Sequence, residues 1–170
     1  MIAVCHPNNP TGSIVSADNM RSIIEIASEN DCWILSDEVY RGAELNGIES
    51  LSFYGSYEKT IVNAGLSKAY RLPGLRLGWT VGPRDYIKKA WAFHDYTSIS
   101  VAYHSDWVAS KILEKERRKA ILDGTKKHLN ENMNTLREWV DSLDGKLSMS
   151  VPQAGAIAFV RIHMLSLIHI

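Results

Sequence analysis

Lys68 stands between two small residues, Ser67 and Ala69, and Arg76 comes eight positions later, beyond a turn built on Pro73 and Gly74. An amine in such a setting can attack a carbonyl, and an arginine fixed by a turn can grip phosphate oxygens with its planar fork. Together they are the two anchors that a phosphorylated aldehyde requires. Lysines and arginines near turns are mostly solvated surface, so the pair needs support from elsewhere in the chain.

Two further segments supply it. His6-Pro7-Asn8-Asn9-Pro10-Thr11-Gly12 stands near the start, and Ser36-Asp37-Glu38-Val39-Tyr40 comes after an apolar run. The order N-P-x-G, then D-x-x-Y, then S-K with an arginine eight residues on resembles the fold-type I pyridoxal phosphate (PLP) enzymes, specifically the class I/II aminotransferases. Each piece is weak; the ordered combination is strong.

The resemblance implies an α/β fold. It places residues 1–116 in the central part of the PLP-binding large domain, a mostly parallel sheet flanked by helices. Residues 117–170 become the connecting helix and the start of an α+β small domain. Lys68 takes the role of the Schiff-base amine, and once displaced by substrate it moves the proton, as a desolvated amine beside a cation can. Asp37 faces the pyridine nitrogen and keeps it protonated, which makes the ring an electron sink. Tyr40 and Asn9 donate to the phenolic oxygen, Asn9 rather than Asn8 being the match in the N-P-x-G register. Arg76 clamps the phosphate, and Ser67 either adds a hydroxyl or packs beside Lys68. Glu38, one residue from Asp37, is expected to point elsewhere.

Two positions depart from the family pattern. Many members carry serine or threonine where this chain has Gly65, so the phosphate cup is one hydroxyl poorer or is completed from elsewhere. Arg71 stands where glycine is common and is expected to reach solvent. His94, Asp95 and Tyr96 fall where the family places substrate-facing residues at a subunit interface, with no motif behind them.

The activity implied is the movement of an amino group between an amino acid and a 2-oxo acid, in a homodimer. A lyase, cyclase or decarboxylase of the same fold type would share Asp37, Tyr40, Lys68 and Arg76. A PLP-sensing regulatory domain is a third reading, and it requires a helix-turn-helix region upstream.

Composition is compatible with all of these. Nineteen basic and nineteen acidic residues cancel, and 45% of the chain is hydrophobic, which fits a globular protein with no global field for nucleic acid or anionic membrane. The local run Lys115-Glu116-Arg117-Arg118-Lys119 is flanked by acids and reads as a solvated helix face. Cys5 and Cys32 lack metal-ligand or disulfide-framework spacing. No apolar stretch is long enough to span a bilayer, and the first residues lack a signal-peptide pattern, so a cytoplasmic setting is expected.

Both ends read as cut: the chain opens inside a strand and closes on an uncapped apolar run, with residues 165–170 doubtful as authentic continuation. The family's substrate-carboxylate arginine and N-terminal portion are expected to lie outside these 170 residues, leaving this stretch a weak PLP binder with slow or no turnover.

The elements that must position these residues are read from periodicity. Ile2–Cys5, Cys32–Leu35, Thr60–Ala64 and Leu77–Val81 read as short strands, which sets Asp37 and Lys68 just past carboxyl ends, where ligands of open α/β sheets bind. Ser16 caps a helix whose stripe is Met20, Ile23, Ile24 and Ala27. Pro83 opens a second helix with Tyr86, Ile87, Ala90 and Trp91 on one side, and Ser105 caps a third with Val108, Ile112 and Leu113 inward. A long amphipathic helix over about 117–143 carries Leu122, Leu129, Met133, Leu136, Val140 and Leu143. Two strands, Leu147–Val151 and Ala156–Ile162, surround Pro152 and Gly155.

Overall fold

The computed structural model describes residues 1–163; the doubtful tail 165–170 lies outside them. Four short strands form one sheet in sequence order: β1 (Ile2–Cys5), β2 (Ile34–Asp37), β3 (Thr60–Gly65) and β4 (Gly78–Val81). The first three run parallel and β4 antiparallel to β3. The carboxyl ends of β1, β2 and β3 therefore lie side by side, which is why motifs spread over some sixty positions of sequence can meet.

Helix α1 (Ala17–Glu29) links β1 to β2. Its cap is the predicted one: Ser16 is extended and its hydroxyl accepts from the Asn19 amide. Met20 and Ala27 are buried with Ile34 and Phe53, while Ile23 and Ile24 pack at the margin. Burying a side chain of this kind contributes roughly 1.5–3 kcal/mol, and this cluster holds β1 and β2 in place from one side.

The second cluster lies under the lysine turn. Leu66, Ala69 and Tyr70 are buried with Ala43, Ala109 and Leu122, the last two from helices α3 (Tyr103–Ile112) and α4 (Lys115–Asp141). The α4 stripe agrees with expectation, since Leu122 and Val140 are buried and Leu129, Met133, Leu136 and Leu143 half-buried. Its basic run is mostly solvated, with one exception. Arg118 turns inward, donating from Nε to the Tyr70 hydroxyl at 3.0 Å and from Nη2 to Glu49 at 2.7 Å. Arg41 reaches the same Glu49 oxygen at 3.2 Å, so one carboxylate ties α4 to the segment after β2.

Three local expectations are corrected. Helix α3 begins at Tyr103 with extended Ala102 as its cap residue and no side-chain capping bond, which puts Ser105 inside the first turn. Helix α2 (Arg84–His94) buries nothing: Tyr86 packs on Trp33 with ring centroids 6.0 Å apart, but Ala90 and Trp91 are exposed. The last two strands shrink to β5 (Leu147–Met149) and β6 (Val160–Ile162), an antiparallel pair. The intervening residues 152–155 are drawn off to the loops at the carboxyl end of the large sheet.

Candidate functional site

The loop after β1 is built around Asn8. Its side-chain oxygen accepts from the Thr11 amide and hydroxyl, and its backbone oxygen accepts from Gly12 at 2.8 Å. Asn8 is thus consumed in closing the turn. Asn9 is left out of that turn, and its Nδ2 donates to the Tyr40 hydroxyl at 3.3 Å.

Gly12 is required by two facts at once. Its φ is +66°, and a Cβ there would stand 2.2 Å from Pro152 Cβ. Its carbonyl accepts from both Gln153 and Ala154 amides, at 2.9 and 3.0 Å. The Gln153 side chain in turn accepts from the Ile14 amide, and Gly155 donates to the Ala43 carbonyl. These bonds are what shorten β5 and β6: residues 152–155 pair with the two site loops instead. Gly155 also lies flat on the Tyr40 ring, so a Cβ there would sit 3.5 Å from Cδ1.

Asp37 ends β2, and its carboxylate accepts from the Val39 amide at 3.2 Å, bending the chain off the sheet. Glu38 points the other way, as expected, and it is buried. One of its oxygens accepts from Ser36 Oγ, Ser52 Oγ and the Phe53 amide, each at 3.0 Å. Glu44, also buried, accepts from the Gly42 and Ser50 amides and the Ser50 hydroxyl. Both glutamates are structural knots that hold residues 42–53 against the site, and neither is marked by a motif.

Past β3, Leu66 donates to the Leu77 carbonyl, and Arg71 and Leu72 donate back to Lys68 and Leu66. With Leu66, Ala69 and Tyr70 all buried, the turn can only aim Lys68 outward. Its side chain is exposed in this chain. The Lys68 amine stands 5.9 Å from the centre of the Tyr40 ring.

Arg76 caps the short helix Pro73–Leu75 in the left-handed region, φ +49°, and its Nη1 donates to the Pro73 carbonyl at 3.0 Å. Ser67, Lys68 and Arg76 line one cleft of about 300 Å³ with Val39, Ala64, Gly65, Leu77 and Gly78. Two glycines make its floor possible: a Cβ on Gly78 would meet the Ala64 carbonyl at 2.9 Å, and one on Gly65 would lie 3.2 Å from Gly78 Cα. The missing hydroxyl at position 65 thus has a packing reason. Arg71 has φ +57°, which explains why glycine suits this position, and its guanidinium lies against Gly124 of α4, away from the cleft.

The structure therefore gathers Ser67, Lys68 and Arg76 in the cleft, with Tyr40 under the lysine and Asn9 bonded to Tyr40. Asp37 stands at the adjacent strand end without lining that cleft. His94 is spent on its own turn, its ring bonding the Ile99 carbonyl. Sequence reasoning passes over Asn63, which registers beside Asp37 on β3. The signal for it is an amide interrupting an apolar strand.

An open α/β sheet thus carries a lysine, an arginine and a glycine floor past the carboxyl ends of its parallel strands. Similarity to known proteins names the family. Residues 1–167 match the family model for aminotransferase class I and II, and the chain belongs to that family. It is 35% identical to an aspartate aminotransferase of Thermococcus kodakarensis over 129 residues, 72% of this chain and 35% of the relative. A capreomycidine synthase of Streptomyces vinaceus is 25% identical over 161 residues, 95% of this chain and 41% of the relative. Among solved structures, a PLP-dependent aminotransferase from Streptococcus suis superposes with a TM-score of 0.86 at 33% identity, over 95% of this chain and 42% of that one. The chain thus spans well under half the length of these relatives.

Proposed function

We propose that this chain is the cofactor-holding portion of a PLP-dependent aminotransferase that moves an amino group between an amino acid and a 2-oxo acid. The observation that carries the reading is the shared cleft of Ser67, Lys68 and Arg76, with Lys68 over the Tyr40 ring. The donor set fits the group. Arg76 and the Ser67 hydroxyl suit a phosphate, the Gly65–Gly78 floor admits it against backbone, and the Lys68 amine reaches an aldehyde.

When bound, PLP supplies the aldehyde and the electron-withdrawing ring. The chain's part is to hold and to move protons. Lys68 would bond the aldehyde carbon through Nζ with loss of water and, once released, would carry a proton at that atom. Asp37 would hold a proton on the ring nitrogen. Asn9 and Tyr40 act as a pair on the phenolic oxygen, Asn9 orienting the Tyr40 hydroxyl. The proposal extends to a cytoplasmic homodimer, on the family resemblance.

The test is borohydride reduction of the PLP-treated protein, then peptide mass spectrometry. A pyridoxyl mass on the Lys68 peptide, lost in Lys68→Ala, is expected; labelling spread over other lysines would overturn the assignment. Adding amino donors to the full-length protein, rather than to this stretch of it, then separates reaction classes. Keto acid release supports transamination, whereas ammonia, carbon dioxide or a cyclised product would point to the second reading, which the synthase relative motivates.

A further inference from the structure

Strand β3 reads Thr60-Ile61-Val62-Asn63-Ala64-Gly65, and Asn63 is its one amide. In register, Asn63 pairs with Asp37 on β2 and with Thr80 on β4, and Asp37 pairs with Cys5 on β1. Registered partners project from the same face of a sheet. Cys5, Asp37, Asn63 and Thr80 therefore form a polar row across four strands. Two residues back on that face the row is Ala3, Leu35 and Ile61, all apolar. The polar row is confined to the end of the sheet where Asp37 stands.

Asn63 is anchored at both of its acceptors. Its side-chain Oδ1 accepts from Thr80 Oγ1 at 2.7 Å, and its backbone oxygen accepts from the Glu38 amide at 2.8 Å. The first bond fixes the amide plane and leaves Nδ2 as the side chain's remaining donor group. The residue across the β2 ladder at this register is Asp37.

We infer that Asn63 is a positioning residue for Asp37. In this structure the Asp37 carboxylate accepts from the Val39 amide, and Asn63 Nδ2 has no hydrogen-bond partner among the described residues. With a protonated ring nitrogen in place, Nδ2 would donate to the carboxylate, in a direction the Thr80 hydroxyl sets. An amide is the residue type that suits the task. It stabilises an anion without neutralising it, so the carboxylate keeps its full charge for a protonated ring nitrogen. A lysine here would compete with that nitrogen, and a carboxylate would repel Asp37. The inference rests on the assignment of Asp37 to the ring nitrogen.

The test compares Asn63→Ala, Asn63→Asp, Thr80→Val and Asp37→Ala in two assays. One is the PLP concentration that gives half-maximal borohydride trapping on Lys68. The other is the pH midpoint of the bound cofactor's absorbance. Loss of a charge-assisted hydrogen bond predicts about a tenfold rise in that concentration for Asn63→Ala, a larger rise for Asn63→Asp, and about threefold for Thr80→Val, where only orientation is lost. The absorbance midpoint moves in all three, while the unfolding midpoint of Thr80→Val, a substitution at an exposed position, stays near that of the parent. Should all three variants stay within about twofold with an unmoved midpoint while Asp37→Ala loses trapping, Asn63 has no such role. If Asp37→Ala itself traps like the parent, the fault lies in the reading of Asp37.

Discussion

Asn9 and Tyr40 meet across 31 residues of sequence, the Asn9 amide donating to the Tyr40 hydroxyl at 3.3 Å. The bond joins the loop after β1 to the loop after β2, and Gly155 closes over the Tyr40 ring from the far end of the chain. Asn9→Ala and Tyr40→Phe should each lower stability by about 1 kcal/mol, the usual worth of such a bond. The double variant should lose less than the sum, because both changes remove one interaction. Denaturant midpoints of the four proteins in the cycle measure this; strict additivity would mean the bond does not form in solution.

Two glycine substitutions should rank in a definite order. Gly12→Ala forces a Cβ into Pro152 at a positive φ and is expected to cost about 3 kcal/mol. Gly65→Ser supplies the hydroxyl common in the family, yet its Cβ meets Gly78 at 3.2 Å, for a cost of about 1–2 kcal/mol. Thermal unfolding of both variants tests the ranking.

Arg71 presents the reverse case. It holds φ +57° with a full side chain, in a region that costs an L-residue roughly 1–2 kcal/mol. Arg71→Gly relieves that strain, and the greater freedom of glycine in the unfolded chain offsets part of the gain. A net stabilisation of about 0.5 kcal/mol is expected in urea titrations, with Lys68 trapping unchanged.

His6 makes stability depend on pH. It is fully buried; the Val15 amide donates to Nδ1 and Nε2 faces the Leu51 carbonyl at 2.9 Å, so only the neutral tautomer protonated at Nε2 satisfies both. Burial pushes its pKa below the ordinary 6.5, against weaker opposing pulls from the Leu51 bond and Glu38. The unfolded chain therefore takes up the proton first. The contribution is complete above about pH 6.5 and is lost as pH falls below it. Urea midpoints between about pH 7.5 and 5 should drop for the parent and fall less steeply for His6→Gln.

Much of this site is legible in the sequence because its residues sit at strand ends, where short apolar runs and turn residues leave few alternatives. Ser16 and the α4 stripe are legible for the same reason: capping and periodicity are local. What escapes the sequence is decided by distant partners. Ser105 resembles a cap, but the chain enters the helix two residues earlier. Trp91 has helical spacing yet stays exposed, with the His94 ring of its own helix stacked on it. Nothing in the sequence marks Glu38 and Glu44 as buried, because the donors that satisfy them come from residues 50–53 and from turns that no pattern announces. Lys68 reads as an amine in a dry setting, and its exposure arises from Leu66, Ala69 and Tyr70 claiming the interior of the turn.

The bonds from Gln153 and Ala154 to the Gly12 carbonyl carry a consequence for how the molecule is made. Ile14 and its partner Gln153 are separated by 139 positions, and the loop bearing Asn9 leans on that same segment. During synthesis, which proceeds from the amino end, this loop emerges 139 positions ahead of the segment that completes its hydrogen bonds, and must wait for it. Closing so long a loop comes late, after local contacts have formed. Asn9 thus leaves the ribosome well ahead of the segment that completes its loop.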